Sequence, residues 1–300
     1  MTGPLSELRP PKLGLREYGD RMHIFPEQDA KRGVPPLDRQ YTLTSSGRKA
    51  IALILEECSL KPTDEALVVT TFNKPNVSSC VTSTIFNYCK PSRVLSNSTR
   101  AVLVIHEFGV PHPQITELRS LCDDRQIPLI EDCAHSVDSC WPDGSIVGSV
   151  GDYVIYSLPK IFPIASGGLV FGLRQRPSID AEDRRIVDSF SANLPNFWNA
   201  LPLFSARRKM LLRQAFNGLA DAVGLVTDPS ENVTPWFLPV PVLEPATVMR
   251  YLRVQGIECG LWHGSNIIVL PLHQYLTDEE MDFMITHLLR ATVGRVKEKL

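Results

Sequence analysis

The segments PLIEDCAH (residues 128–135) and GDYVIYSLPKIFPIASGGLVF (residues 151–171) decide how this chain folds. Each holds a short apolar run typical of a strand, followed by a side chain that can do chemistry: Asp132 in the first and Lys160 in the second. A lysine between an apolar strand and the turn Gly167-Gly168 is unusual, because lysines normally lie on solvated surfaces. A lysine taken out of water loses its proton more easily, and the free amine can form a Schiff base. Lys160 and Asp132 are therefore the candidate catalytic residues.

The residues before these segments alternate between strand and helix patterns. Residues 101–106 form an apolar strand-like run, residues 114–125 have helical spacing, and residues 128–131 form the next strand-like run. This strand–helix–strand order predicts a parallel sheet of the α/β class. Ligand sites in such sheets lie at the carboxyl ends of the strands, where Asp132 stands.

Nearer the N-terminus, Ser46, Gly47 and Arg48 precede the apolar helical run of residues 51–55. Backbone N–H groups at a helix start lack partners within the helix, and the helix dipole adds positive character, so anions bind there. Two interpretations stay open for this pattern: a phosphate-binding helix start, or an ordinary N-capped helix.

The sequence resembles the DegT/StrS-type sugar aminotransferases, which use pyridoxal 5′-phosphate (PLP), as a shortened and divergent member. The resemblance rests on Glu131-Asp132-Cys133-Ala134-His135, on Ser157 before Lys160, and on Gly167-Gly168, and it extends over residues 40–172 and 235–290. It implies a three-layer sandwich of the PLP-transferase type with a mostly parallel central sheet. In this family Lys160 would bind PLP as a Schiff base, and Asp132 would keep the pyridine nitrogen charged. It further implies cofactor contacts from Ser46, Gly47, Arg48, Phe72, His135 and Ser157.

The function implied by the resemblance is transfer of an amino group, with glutamate as the expected donor and a keto-sugar or other small carbonyl compound as acceptor. Two alternatives stay open. One is a PLP enzyme of another reaction type, such as a lyase, racemase or dehydratase. The other is a non-catalytic family member that acts as a binding or regulatory subunit. Residues 174–230 lack the family's Gly-x-Asn loop, which leaves the acceptor open. A homodimer is expected because the family builds its site at a dimer interface.

Composition excludes several other classes. The chain has 300 residues and a formal net charge of −2, which gives no reason to expect binding to nucleic acid or to an anionic membrane. It has no apolar run long enough for a bilayer and no secretory signal at its start. The seven cysteines show no zinc-binding spacing, so we expect a cytoplasmic protein without a metal site.

We predict an irregular N-terminal arm at residues 1–38 and a large PLP-binding α/β domain at residues 39–200. Residues 201–300 are predicted to form a helical link and a small α+β domain. The basic run Arg207-Arg208-Lys209, with Arg213, is interpreted as a solvated helix face, and an anionic-substrate site is the alternative.

Within that C-terminal domain, residues 236–242 and 267–270 should be strands, and residues 245–254 and 277–293 helices. Thr277 and Glu280 have the spacing of a capping box at the start of the last helix.

Overall fold

The computed structural model describes residues 40–292, except residues 75, 176, 220, 221 and 228. The arm predicted at residues 1–38 lies outside the described residues. No helix in these ranges combines the length and the apolar character needed to cross a membrane.

The central sheet has seven strands in the order β1-β7-β6-β5-β4-β2-β3. Strands β2 to β6 pair in parallel, and β7 runs antiparallel to its neighbours β6 and β1. The strands are β1 (Tyr41–Thr44), β2 (Glu65–Thr70), β3 (Lys90–Ser92), β4 (Thr99–Ile105), β5 (Leu129–Asp132), β6 (Tyr153–Ser157) and β7 (Gly168–Phe171). The predicted mostly parallel α/β sheet is confirmed.

Helices cover both faces of this sheet. The helices are α1 (Gly47–Glu57), α2 (Ser79–Phe86), α3 (Ile115–Arg125), α4 (Ala181–Ser191), α5 (Leu194–Leu219), α6 (Pro245–Val254) and α7 (Asp278–Thr292). Successive side chains of a strand point to opposite faces, so β4 places Leu103 in the core beneath α1 and α2, and Val102 and Val104 in the core beneath α3. Helix α5 covers the same sheet farther along, with Trp198 packed against β6 and β7. The result is the predicted three-layer sandwich.

A second sheet lies in the C-terminal part of the chain. It is antiparallel, with the order β8-β10-β9, and its strands are β8 (Leu238–Pro241), β9 (Gly260–Leu261) and β10 (Ile267–Leu270). Helices α5, α6 and α7 share one apolar core with this sheet. Helix α6 and strand β10 have the predicted bounds, whereas β8 is shorter than the predicted strand at 236–242.

The capping box at the start of α7 has the predicted geometry. The Glu280 backbone N–H donates to Thr277 Oγ1 at 3.1 Å, and the Thr277 N–H donates to Glu280 Oε2 at 3.0 Å. These reciprocal bonds satisfy two groups that a helix start would otherwise leave to water.

Helix α5 bears on two predictions from the sequence: the domain boundary and the solvated basic face. The predicted domain boundary between residues 200 and 201 falls inside this helix. The expectation of a solvated basic face is wrong for Arg208, whose residue surface is only 3% exposed. Arg213 does lie at the surface and pairs with Glu231 there. Adjacent residues on a helix point about 100° apart, so Arg208 faces the interior while Arg207 and Lys209 stay partly exposed.

Candidate active site

A cavity of about 480 Å³ opens at the carboxyl ends of the parallel strands. Its walls come from the end of β5, the start of α1, the segment after β6 and residues near the small sheet. All predicted site residues except Phe72 line it: Ser46, Gly47, Arg48, Asp132, His135, Ser157 and Lys160. The sheet therefore brings together residues that lie up to 114 positions apart in the chain, from Ser46 to Lys160.

The start of α1 forms one end of the cavity. Ser46 is the N-cap residue, and its hydroxyl accepts the Lys49 backbone N–H at 3.2 Å. A Cβ atom at Gly47 would lie 3.2 Å from Ser157 Cβ, so the glycine lets the helix start approach the end of β6 closely. Because helix N-termini attract anions, this end suits a phosphate group. Ser157, three residues before Lys160, therefore lies next to the helix start.

Asp183, at the start of α4, was not predicted from the sequence. Its carboxylate lies 3.0 Å from Lys49 Nζ and also accepts a hydrogen bond from the Ser45 hydroxyl. The hydrogen bond to Asp183 raises the pKa of Lys49 despite partial burial. The Lys49 charge is thus matched by a carboxylate, and Arg48 is the cationic side chain that this helix start presents to the cavity.

Asp132 closes the opposite wall. It ends β5 in the middle of the sheet, paired with Ile105 of β4 and Ile155 of β6. Its residue surface is 5% exposed, and its Oδ1 atom accepts the Ala134 backbone N–H at 3.0 Å. Burial raises the pKa of Asp132, while the positive charge of Lys160 opposes that rise.

The preceding carboxylate, Glu131, points to the other face of the sheet and is fully buried. Its Oε2 atom lies 3.0 Å from His106 Nε2 and 3.1 Å from the Gly148 N–H. Its Oε1 atom accepts the N–H groups of Val150 at 2.8 Å and Gly151 at 2.5 Å. Glu131 therefore holds the turn-rich link before β6, and Asp132 is the member of the pair that faces the cavity.

His106, Glu131 and Cys133 place their side-chain ligand atoms within 4.8 Å of one another, as in some metal sites. Hydrogen bonds already use both oxygens of Glu131, and the His112 N–H donates to His106 Nδ1 at 3.0 Å. Burial raises the pKa of Cys133 well above its usual value, so its sulfur is a thiol. This cluster joins β4, β5 and the link before β6 through hydrogen bonds.

Lys160 lies in a 3₁₀ turn directly after β6 and is half-buried. Its Nζ atom is 4.4 Å from the centre of the Trp236 ring. The His135 ring centre lies 4.3 Å from the same Trp236 ring. Trp236 therefore forms an aromatic wall beside the lysine, a role that sequence reasoning missed because it assigned this residue to a strand.

Phe72 lies outside the set of residues that line the cavity. Its ring centre is 5.9 Å from that of Phe108, and its backbone N–H donates to Glu107 Oε2 at 3.1 Å. Asn73 follows in the left-handed region with a φ of 47°, which turns the chain directly after Phe72. Stacking of Phe72 on a cofactor stays a prediction from the resemblance, and its position here gives it no support.

Glu107 is a second carboxyl group in the cavity wall that the sequence did not single out as functional. Its residue surface is 3% exposed, and burial raises its pKa. Its Oε1 atom accepts the indole N–H of Trp262 at 3.3 Å, which joins the end of β4 to the segment after β9. The cavity is therefore walled by both sheets.

The central segment of the chain matches a known family model. Residues 88–174 match the model described as the DegT/DnrJ/EryC1/StrS aminotransferase family. This segment resembles that family. It contains β3 to β7 and with them Asp132, Ser157 and Lys160, so the resemblance found in the sequence is confirmed.

Curated relatives match a short part of the chain. GDP-perosamine synthase of Vibrio cholerae is 35% identical over 80 residues, which are 26% of this chain and 21% of that protein. The putative L-glutamine:3-amino-2,3-dideoxy-scyllo-inosose aminotransferase of Micromonospora echinospora is 33% identical over 90 residues, 28% of this chain and 21% of that protein. The match thus spans about a fifth of the length of each relative.

Solved structures resemble a much larger part of the chain. The aminotransferase TlmJ from Streptoalloteichus hindustanus has a TM-score of 0.69 at 19% identity, with 86% of this chain and 87% of that chain covered. The PMP form of the putative sugar aminotransferase Spr1654 from Streptococcus pneumoniae has a TM-score of 0.70 at 16% identity, with 86% and 89% covered. The predicted fold class is confirmed, since both likenesses extend well beyond the family segment.

Proposed function

We propose that this protein is a PLP-dependent aminotransferase that moves an amino group from an amino acid, with glutamate as the expected donor, to a keto-sugar or other small carbonyl compound. The proposal rests on one observation: a single cavity joins Lys160, Asp132 and the start of α1. A primary amine, a buried carboxylate and a helix N-terminus are the three groups that hold PLP by its aldehyde carbon, its ring nitrogen and its phosphate.

The residues present fit this cofactor. The cavity volume of about 480 Å³ lies in the range typical of small-molecule sites. Lys160 would form the covalent link, and Asp132 would pair with the ring nitrogen. Ser46, Gly47, Arg48 and Ser157 would hold the phosphate, where Gly47 keeps the space between α1 and β6 small.

When bound, PLP supplies an electron sink for the bond that breaks at the substrate carbon. Asp132 would maintain the sink by keeping the ring nitrogen charged, which its burial away from water strengthens. Lys160 would remove the proton from the substrate carbon and return it to the neighbouring carbon as a general base and acid. The Trp236 ring, 4.4 Å from Lys160 Nζ, restricts where that amine can lie.

The choice of a sugar acceptor is supported by the relatives and by the cavity wall. One relative is named as a GDP-perosamine synthase and another as an aminoinosose aminotransferase. Trp262, His263 and Glu107 line the same cavity, and such aromatic and polar groups suit a ring that carries hydroxyl groups. Because the second relative is named for L-glutamine, both glutamate and glutamine belong in a donor assay.

We further propose a cytoplasmic homodimer. All seven cysteines are unpaired thiols in the structure, which fits a reducing compartment. The dimer follows from the family resemblance, and light scattering of the purified protein at several concentrations tests it. A mass that stays at that of one chain would contradict it.

The function is tested by the visible absorbance of purified protein with added PLP, compared with Lys160→Ala and with the exposed control Lys61→Ala. We expect a band that marks lysine-bound PLP in the wild type and the control and no such band in Lys160→Ala. Glutamate or glutamine should then remove the band and leave the cofactor in its amino form. A band that both donors leave unchanged would favour another PLP reaction, and no band in the wild type would refute the cofactor.

A further inference from the structure

Arg208 is a buried cation in α5 that the mechanism above does not use. Its residue surface is 3% exposed, and burial lowers its pKa to about 9, so it is charged at neutral pH. Within the described residues it forms no ion pair with a carboxylate; its hydrogen bonds go to neutral oxygen atoms. Burying a cation without a carboxylate partner lowers the stability of the fold, so stability alone does not account for Arg208.

The guanidinium of Arg208 joins three segments of the chain. Its Nη2 atom donates to the Lys160 carbonyl oxygen at 3.1 Å, and its Nε atom donates to Gln274 Oε1 at 2.8 Å. Its Nη1 atom donates to the Pro235 carbonyl oxygen at 3.2 Å. Gln274 in turn donates to the Ile161 carbonyl oxygen at 2.8 Å. The backbone on both sides of the Lys160–Ile161 peptide is therefore fixed by one arginine and its partner.

The same guanidinium also holds the aromatic wall. Arg208 Nη1 lies 3.4 Å from the Trp236 carbonyl oxygen, and the Trp236 ring lies beside Lys160 Nζ. The positions of the Lys160 amine and of the Trp236 ring thus both depend on the Arg208 guanidinium. A lysine could not replace it, because an ammonium is a point donor whereas the arginine fork reaches separate acceptors in fixed directions.

We propose that Arg208 is a positioning residue for Lys160: its fork fixes the lysine turn against Trp236 and so holds the Lys160 amine in its half-buried place. This inference rests on the proposed function for its effect on catalysis. The contacts of Arg208 do not rest on the proposed function, since they involve only residues of this chain.

The test compares wild type with Arg208→Met, which removes charge and fork, and Arg208→Lys, which keeps the charge alone. Arg213→Met is the control, because it removes an exposed arginine from the same helix. In protein without PLP, Lys160 is labelled with acetic anhydride across a pH series and quantified by peptide mass spectrometry. PLP binding is then titrated by absorbance.

We expect Arg208→Met to raise the pH midpoint of Lys160 labelling by about one unit, because a released turn lets the amine reach water, where the ammonium form is more stable. We expect Arg208→Lys to shift the midpoint in the same direction, because a point donor cannot hold the separate acceptors of the fork. Both variants should bind PLP at least tenfold more weakly, and Arg213→Met should change neither quantity. Because unfolding would also raise the midpoint by exposing Lys160, the midpoint is compared only between variants that still unfold cooperatively in urea.

A wild-type midpoint together with wild-type PLP affinity in Arg208→Met would overturn the inference. If Arg208→Met does not fold, Arg208→Lys decides: unchanged PLP affinity overturns the positioning role, and a tenfold loss supports it. If wild-type protein forms no Lys160-dependent band with PLP, the proposed function fails, whereas the labelling midpoints still report on Arg208 and Lys160.

Discussion

Replacing Glu131 with glutamine changes one buried atom and should be costly. The carboxylate accepts hydrogen bonds from His106 and from the N–H groups of Gly148, Val150 and Gly151. An amide has one oxygen and one NH₂ group, so in either orientation its NH₂ group would face two of these donors. A hydrogen bond to a charged group contributes about 1.5–3 kcal/mol, so losing two should lower the free energy of unfolding by about 3–6 kcal/mol at neutral pH.

The effect should depend on pH in a defined direction. Burial raises the pKa of Glu131, but the hydrogen bonds from His106 and from the backbone N–H groups outweigh burial and leave this pKa below its usual value of 4.5. A carboxyl group whose pKa is lower in the folded state than in the unfolded state stabilises the fold above the unfolded value. That stability is lost as the pH falls through the folded value, so the gap between wild type and Glu131→Gln should narrow below pH 4.5.

Urea unfolding followed by tryptophan fluorescence at a series of pH values measures this gap. The matched control is Glu117→Gln, because Glu117 is exposed and its change should be within about 0.5 kcal/mol. A loss of less than about 1 kcal/mol at neutral pH would refute the reasoning. So would a gap that stays constant as the solution is acidified, because the stabilisation would then not come from the charged carboxylate.

Three further outcomes are expected. Asp132→Asn should weaken PLP binding and lower kcat about 100-fold or more. The melting temperature of the protein without PLP should stay unchanged or rise, because burial raises the pKa of this carboxyl and makes its charge unfavourable in the fold. A lower melting temperature would contradict this. Gly168→Ala should weaken PLP binding, since the new Cβ would lie 2.6 Å from the Ser46 carbonyl carbon and displace the start of α1, and unchanged affinity would count against that contact. Thr277→Ala should lower stability by about 1 kcal/mol in urea unfolding without changing PLP affinity, because it removes one half of the capping box.

Much of the fold could be predicted because local signals and tertiary packing agree. Strand β10 and helix α6 have the predicted bounds, and the capping box of α7 forms between the predicted residues. Asp132 and Lys160 were found because parallel strands gather the residues at their carboxyl ends at one edge of the sheet. Their placement in one cavity follows from topology, whereas their roles stay predictions.

The residues that sequence reasoning missed depend on distant partners. Arg208 belongs to a basic run, and its inward position depends on partners far along the chain, such as the carbonyl groups of Lys160 and Pro235. Trp236 stands beside Lys160 because two sheets meet there, and no local pattern carries that information. Phe72 was assigned by its place after a strand, and the left-handed residue that follows it turns the chain away.

The pairing of β1 with β7 has a consequence for how the protein is made. Tyr41 pairs with Phe171, and Ser46 bridges to Gly167, so the start of α1 obtains several of its neighbours from residues far along the chain. During synthesis on the ribosome, the helix start emerges long before β7 does. While β2 to β6 are made, α1 therefore lacks its final contacts, and the end of the cavity at the start of α1 is completed only after β7 has emerged.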